Sequence, residues 1–166
     1  DIEKRFEHGE LYSADSIHFA DSLKYYTLRK HRVVYGGGGI MPDVFVPLDT
    51  TQYTKFLRQM AARSYIINAN LKYIDVNRKQ LKKQFATFND FNARFEVPQS
   101  LIDDVVQAAE KDKIKPKDQQ ELQATLPQLR RQLKALIARD LWDMSEYFQV
   151  INETNPIVVK AVGLLK

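Results

Sequence analysis

The feature that most constrains this chain is where its glycines and prolines fall. Four of the six glycines stand in one run, Gly36 to Gly39, inside "HRVVYGGGGIMPDVFV". From Ile40 to Val162 there is no glycine, and no proline lies between Pro47 and Pro98. Glycine and proline are the residues most costly inside a helix, so their scarcity over such a stretch favours helices over a sandwich of short strands. Before residue 50 the pattern differs. "DIEKRFEH" suits a short helix ended by Gly9. "YYTLRKHRVVYG" has β-branched and aromatic residues on both sides of a basic turn, with His31 as a turn residue. "DVFVPL" reads as a further strand that Pro47 ends or confines to a sheet edge. The expected fold is mainly α (α+β): a short N-terminal β-hairpin segment over 1–50, then an all-α domain of five to seven helices over 51–166.

Helix starts are signalled repeatedly. "DTTQ" (49–52), "TFND" (87–90), "SLID" (100–103) and "DQQE" (118–121) all have the capping-box form, with Asp49, Thr87, Ser100 and Asp118 as predicted N-caps. Asn155 before Pro156 predicts a last helix, and Ser64 predicts a cap after a break near Ala62–Ser64. Apolar spacing predicts inward faces at Tyr53, Phe56, Leu57 and Met60, then at Ile67, Leu71, Ile74, Leu81 and Phe85. "EKDKIKPKD" (110–118) reads as a charged linker. The basic clusters "NRKQLKK" (77–83) and "LRRQLK" (129–134) are expected on solvated helix faces, as are the acidic pairs Asp103–Asp104 and Asp140–Asp143 where they do not start helices. Trp142, Tyr147 and Phe148 are expected to form one helix face in a helix–helix contact rather than a peptide groove.

Several chemistries lack their residues. The chain has no cysteine, so no disulfide, thiolate zinc site or Cys nucleophile is available. No apolar run approaches the roughly 20 residues that span a bilayer. The formal net charge of +4 permits acidic partners, but no nucleic-acid motif accompanies it, and no nucleic-acid partner is expected. The glycine run is not a phosphate loop. Gly39 is followed by Ile40, Met41 and Pro42 rather than Lys-Ser/Thr, and Pro42 disfavours the helix whose N-terminal amides would hold phosphate. No serine lies in a Gly-x-Ser-x-Gly elbow. Ser22 and Lys24 would share a face if both lay in a strand, yet lysine acts as a base only when its pKa is lowered. His8, His18 and His31 have no metal-ligand spacing, so neither metal nor cofactor is expected.

The opening stretch carries a resemblance. "YYTLRKHRVVYGGGGIMPDVFV" resembles the segment that follows the active site in carboxyl-terminal processing (tail-specific) proteases, whose pattern is Tyr-Tyr-Thr-Pro-x-Gly-Arg, then Gly-Ile-x-Pro-Asp and an extended apolar stretch. Tyr25, Tyr26, Thr27 and Arg32 match the first part. Gly39, Ile40, Pro42 and Asp43 match the second, with Val44 and Val46 beyond. Leu28 stands where proline is usual and His31 where glycine is usual. The preceding Gly36, Gly37 and Gly38 complete a Tyr-Gly-Gly-Gly-Gly-Ile form similar to a subgroup with a long helical C-terminal extension. The likeness covers roughly residues 10 to 97.

The resemblance implies a serine endopeptidase of the periplasm or cell envelope, with a Ser/Lys dyad and a substrate-capturing PDZ domain upstream of this motif. No serine or lysine here corresponds to the dyad, so it assigns no catalytic residue to the chain. Opening on Asp1, the chain is expected to be a C-terminal piece: it completes the protease core, supplies a helical platform and is inactive alone. Substrates with free C-termini would be met through the missing domains. Strand edges near residues 23 to 47 are expected to pair among themselves, pair with another copy or lose order. A free-standing helical adaptor would explain the capped helices equally well, without explaining the Gly-Ile-x-Pro-Asp string.

Overall fold

The computed structural model describes residues 2–10, 12–13, 16–17, 21–36, 44–49 and 53–165. The chain forms two compact units, Asp1–Asp49 and Thr50–Lys166.

In the first unit, helix α1 (Ile2–Glu7) ends at Gly9, whose φ of +77° is the left-handed conformation that glycine adopts without strain. Arg5 Nε meets Glu10 Oε2 at 2.8 Å across this turn, and Phe6 and Tyr12 pack edge to face. A 3-10 turn, Asp21–Leu23, leads into strand β1 (Lys24–Tyr26), which pairs antiparallel with β2 (Val33–Tyr35). Ser22 therefore lies in that turn and not in a strand beside Lys24. The expected strand in "DVFVPL" is corrected as well. Val44–Asp49 has no ladder partner among the described residues, and Pro47 removes one of the N–H groups a ladder needs.

Among the described residues the second unit holds seven helices: α2 (Lys55–Ala62), α3 (Tyr65–Gln84), α4 (Phe88–Arg94), α5 (Gln99–Lys111), α6 (Gln119–Leu141), α7 (Met144–Asn152) and α8 (Pro156–Leu164). The described chain is thus mainly α with a short hairpin before the helices. Helix α6 is the axis of the unit and contacts α2, α3 and α7, while α3 also packs on α5. Its Leu129, Leu133, Ile137 and Leu141 recur every four residues and are all buried, so one stripe forms the seam. Phe85, Phe91 and Phe95 form a second centre, where Phe91 and Phe95 stack at 4.5 Å and Trp142 tilts onto Phe91 at 5.2 Å. Pro127 lies within α6 and has no N–H to offer the carbonyl of Gln123, an exposed position where water can replace it.

Most predicted starts hold. Thr87, Asp118 and Asn155 cap α4, α6 and α8 with their side chains. Ser64 precedes α3 after the expected break, but its φ is +62° and its hydroxyl makes no cap bond. Two starts are corrected. Helix α2 is capped by Thr54 rather than Asp49, and residues 50–52 of the "DTTQ" box lie outside the described residues. Helix α5 starts after Pro98, which leaves Ser100 inside its first turn; Pro98 cannot be helical-donor backbone but sets an extended entry at φ −57°, ψ 141°. The linker is shorter than expected, because α5 continues to Lys111 and turns at Lys113, φ +63°.

Ile74, Leu81 and Phe85 face inward as expected, but in the first turns of α3 the inward face is shifted by one position. Ile66, Asn70, Ile74 and Leu81 are buried, while Ile67 and Leu71 are nearly half exposed; Tyr53 is exposed too. The polar Asn70 hides the true phase from a hydrophobicity pattern. Trp142, Tyr147 and Phe148 do not share one helix face. Trp142 ends α6 against Phe88 and Phe91, Tyr147 packs on the core from α7, and Phe148 is exposed.

Candidate functional site

Tyr25, Tyr26, Thr27, Arg32 and Gly36 are brought together by the hairpin. Its register sets Lys24 opposite Tyr35, Tyr25 opposite Val34 and Tyr26 opposite Val33. Because side chains alternate along a strand, Tyr25 and Val34 share one face and Tyr26 and Val33 the other. Thr27 governs the turn. Its N–H donates to the Arg32 carbonyl at 3.0 Å, its carbonyl accepts from His31 at 3.1 Å, and its Oγ1 accepts the Arg32 N–H at 3.0 Å. His31 has φ +47°, in the left-handed region that histidine adopts less readily than glycine. The neighbouring Leu28 projects almost wholly into solvent.

Gly36 closes the ladder by donating to the Leu23 carbonyl at 2.8 Å. A Cβ at this position would come within 3.0 Å of the Tyr25 ring, so glycine here allows an aromatic side chain to lie close to the backbone. Gly37, Gly38, Gly39, Ile40, Pro42 and Asp43 lie outside the described residues.

Among the described residues there is no cluster of metal-ligating side chains. The helical unit instead shows polar groups used to join helices. Glu121, on the first turn of α6, accepts the Lys117 N–H at 2.7 Å through Oε2 and the Phe56 N–H at 3.0 Å through Oε1. One carboxylate thus caps the start of its own helix and the start of α2. The Lys117 amide, followed by the Phe56 amide, holds the Glu121 carboxyl below its usual range. Thr125 donates to the Glu121 carbonyl at 2.7 Å, which leaves Thr54 as donor in the 2.6 Å Thr54–Thr125 hydrogen bond. The same Thr54 oxygen accepts the Leu57 N–H at 3.1 Å. Half of this arrangement is legible in "DQQE", since Asp118 caps Glu121 N–H; the reach to α2 has no sequence signal.

Four charges expected to be solvated are corrected. Asp140 is half-buried and accepts from Nδ2 of the fully buried Asn70 at 2.6 Å and from Arg139 Nε at 2.9 Å. Arg78 donates to the Asp140 carbonyl. In the second basic cluster Arg130, Arg131 and Lys134 are half-buried, because α6 is enclosed on several sides, whereas Arg78, Lys79, Lys82 and Lys83 of the first are exposed as expected. A groove of about 710 Å³ also lies between α3 and α5. There Tyr65 donates to Asp112, whose carboxylate raises the phenol's pKa. The groove's lining contains no serine or histidine, and nothing in it organises acyl transfer.

The geometry defines a helical unit preceded in the chain by a small hairpin-bearing unit. The chain belongs to a family of unknown function, DUF8443, whose model matches residues 56–143, from the first turn of α2 to the cap of α7. No curated protein and no solved structure shows a significant match to the chain.

Proposed function

We propose that this chain is the C-terminal, non-catalytic portion of a tail-specific serine endopeptidase of the cell envelope. The hairpin carries the reading. The first part of the string that resembles the protease segment, Tyr25 to Tyr35, includes two paired strands whose apolar side chains are exposed on both faces: Tyr25 and Tyr26 are each 58% exposed, Val33 45% and Val34 43%. A solvated hairpin normally alternates apolar and polar, whereas strands covered on both faces are apolar throughout. A two-stranded ribbon is marginal alone, and these strands suit the end of a larger sheet. The left-handed His31 supports the same reading, since glycine, usual at this position in the family, is the residue that adopts this conformation most readily.

In such an enzyme a neutral lysine activates a serine for acyl transfer, on segments other than this one. The role left to this chain is structural: two strands to extend the protease sheet and a helical unit as a platform. The test is to express the chain alone and joined to the coding sequence preceding it, then assay both on a peptide with a free C-terminus and on its amidated twin. The chain alone is expected to be inactive, and the longer protein to cleave the free-acid peptide until its upstream serine is replaced. A preceding sequence with no Ser/Lys-bearing domain would overturn the proposal, and a stable partner captured by the inactive chain would then favour an adaptor.

A further inference from the structure

Arg130, Arg131 and Lys134 border a groove of about 570 Å³ between α6, the segment that follows α4 and the end of α7. All three are half-buried, and each is held by neutral partners. Arg130 donates to the Val97 carbonyl at 3.2 Å and to Gln99 Oε1 at 2.5 Å. Arg131 donates to Gln128 Oε1 at 2.9 Å, and Lys134 donates to the Asn92 carbonyl at 2.6 Å. None of the three takes part in an ion pair among the described residues. Withdrawing a cation from water without full anionic compensation is unfavourable, and Glu96 and Glu153 in the same concavity leave one of the three cations unmatched, a field that a bound anion would relieve. The desolvation is visible at Lys134, whose pKa burial pushes down against the opposing fields of Glu153 and Glu96.

We propose that this groove is a binding site for a monocarboxylate on a short apolar stem. Arg131 commits one Nη1 hydrogen bond and Lys134 one of its three protons, which leaves both able to grip a carboxylate. The buried Val97 and Val150 back the groove and meet the stem. Two carboxylates also line it. Glu153 accepts from Asn92 Nδ2 at 2.5 Å, and Glu96 is exposed. Three cations against two carboxylates leave one net positive charge, which suits a monoanion; a phosphate dianion would meet Glu96 and Glu153 as like charges. The volume lies within the range of small-molecule sites.

The test is calorimetric titration of the full chain at low salt with hexanoate, hexanol and butyl phosphate. Hexanoate is expected to bind saturably at one site, more tightly than butyl phosphate, with hexanol not binding. R131Q is expected to weaken hexanoate about tenfold with helical circular dichroism unchanged, because Arg131 bonds only within its own helix. Absence of saturable binding, equal binding of hexanol, preference for the phosphate, or an R131Q protein that folds and binds unchanged would overturn the proposal. If R131Q loses its helical signal, the hexanoate–hexanol comparison on the unsubstituted chain decides alone.

Discussion

The two units place their apolar side chains in opposite environments. In the hairpin, Tyr25, Tyr26, Val33 and Val34 are each more than 40% exposed, and its ladder is three residues long. In the helical unit, Phe91, Leu129, Leu133 and Ile137 are completely buried, and polar groups at helix starts are capped within the unit. Burial of apolar area is the dominant favourable term in folding, so the helical unit holds the means of its own stability and the hairpin does not. The family match follows the same division, covering 56–143 and none of the hairpin.

The largest effect expected is in the helical core. Phe91→Ala removes a ring that stacks on Phe95 and touches Phe85 and Trp142, and should cost about 3–5 kcal/mol. Val33→Ala on the exposed hairpin should cost under about 0.5 kcal/mol. Urea unfolding followed through Trp142, the sole tryptophan, reports the helical unit. If Val33→Ala moved that transition as far as Phe91→Ala, the contrast between the units would be broken.

Next comes the shared cap. Glu121→Gln should destabilise by about 1–3 kcal/mol at neutral pH, since it weakens charge-assisted bonds to two amides. The folded carboxyl titrates below the ordinary glutamate range, so its contribution is complete above that range and is lost as pH falls through the folded pKa. The gap between wild type and variant should therefore narrow on acidification through that window, as read by urea midpoints at each pH. A gap independent of pH would show that lost packing, not the ionised carboxylate, is responsible.

Smaller and opposite in sign is Ser64→Gly. Ser64 holds φ +62° with no cap bond from its hydroxyl, so relief of the left-handed backbone should gain about 0.5–1 kcal/mol. A loss in the same urea experiment would mean that the hydroxyl matters in the folded unit. Least of all, Gly36→Ala should leave the Trp142 transition within about 0.3 kcal/mol, although its Cβ meets the Tyr25 ring. Its effect belongs to the hairpin, where amide exchange at Gly36 should quicken; unchanged exchange would show that Tyr25 moves aside freely.

Legibility from sequence tracked the range of the interaction. Thr87, Asp118, Asn155, the break before Ser64 and the turn at His31 are properties of a few consecutive residues, and all were readable. Ser100 misled because its box is locally satisfactory, while Pro98 two residues earlier already sets the entry to α5. The phase of the first turns of α3 misled because a buried Asn70 occupies a position that hydrophobicity assigns to the surface, and its partner Asp140 is seventy residues away. Of the proposed anion site, "LRRQLK" supplied the cations, but their half-burial needed Val97, Gln99 and Asn92 from another part of the chain.

By itself, then, the sequence determined the mainly helical class, the hairpin before it and most helix boundaries, because propensities, caps and breakers act over three or four residues. Only the tertiary structure decided which charges were withdrawn from water, that Glu121 joins two helix starts, and that both faces of the hairpin are left apolar and exposed. Those outcomes depend on which residues distant in the chain come within hydrogen-bonding or packing distance, and no local pattern encodes that distance.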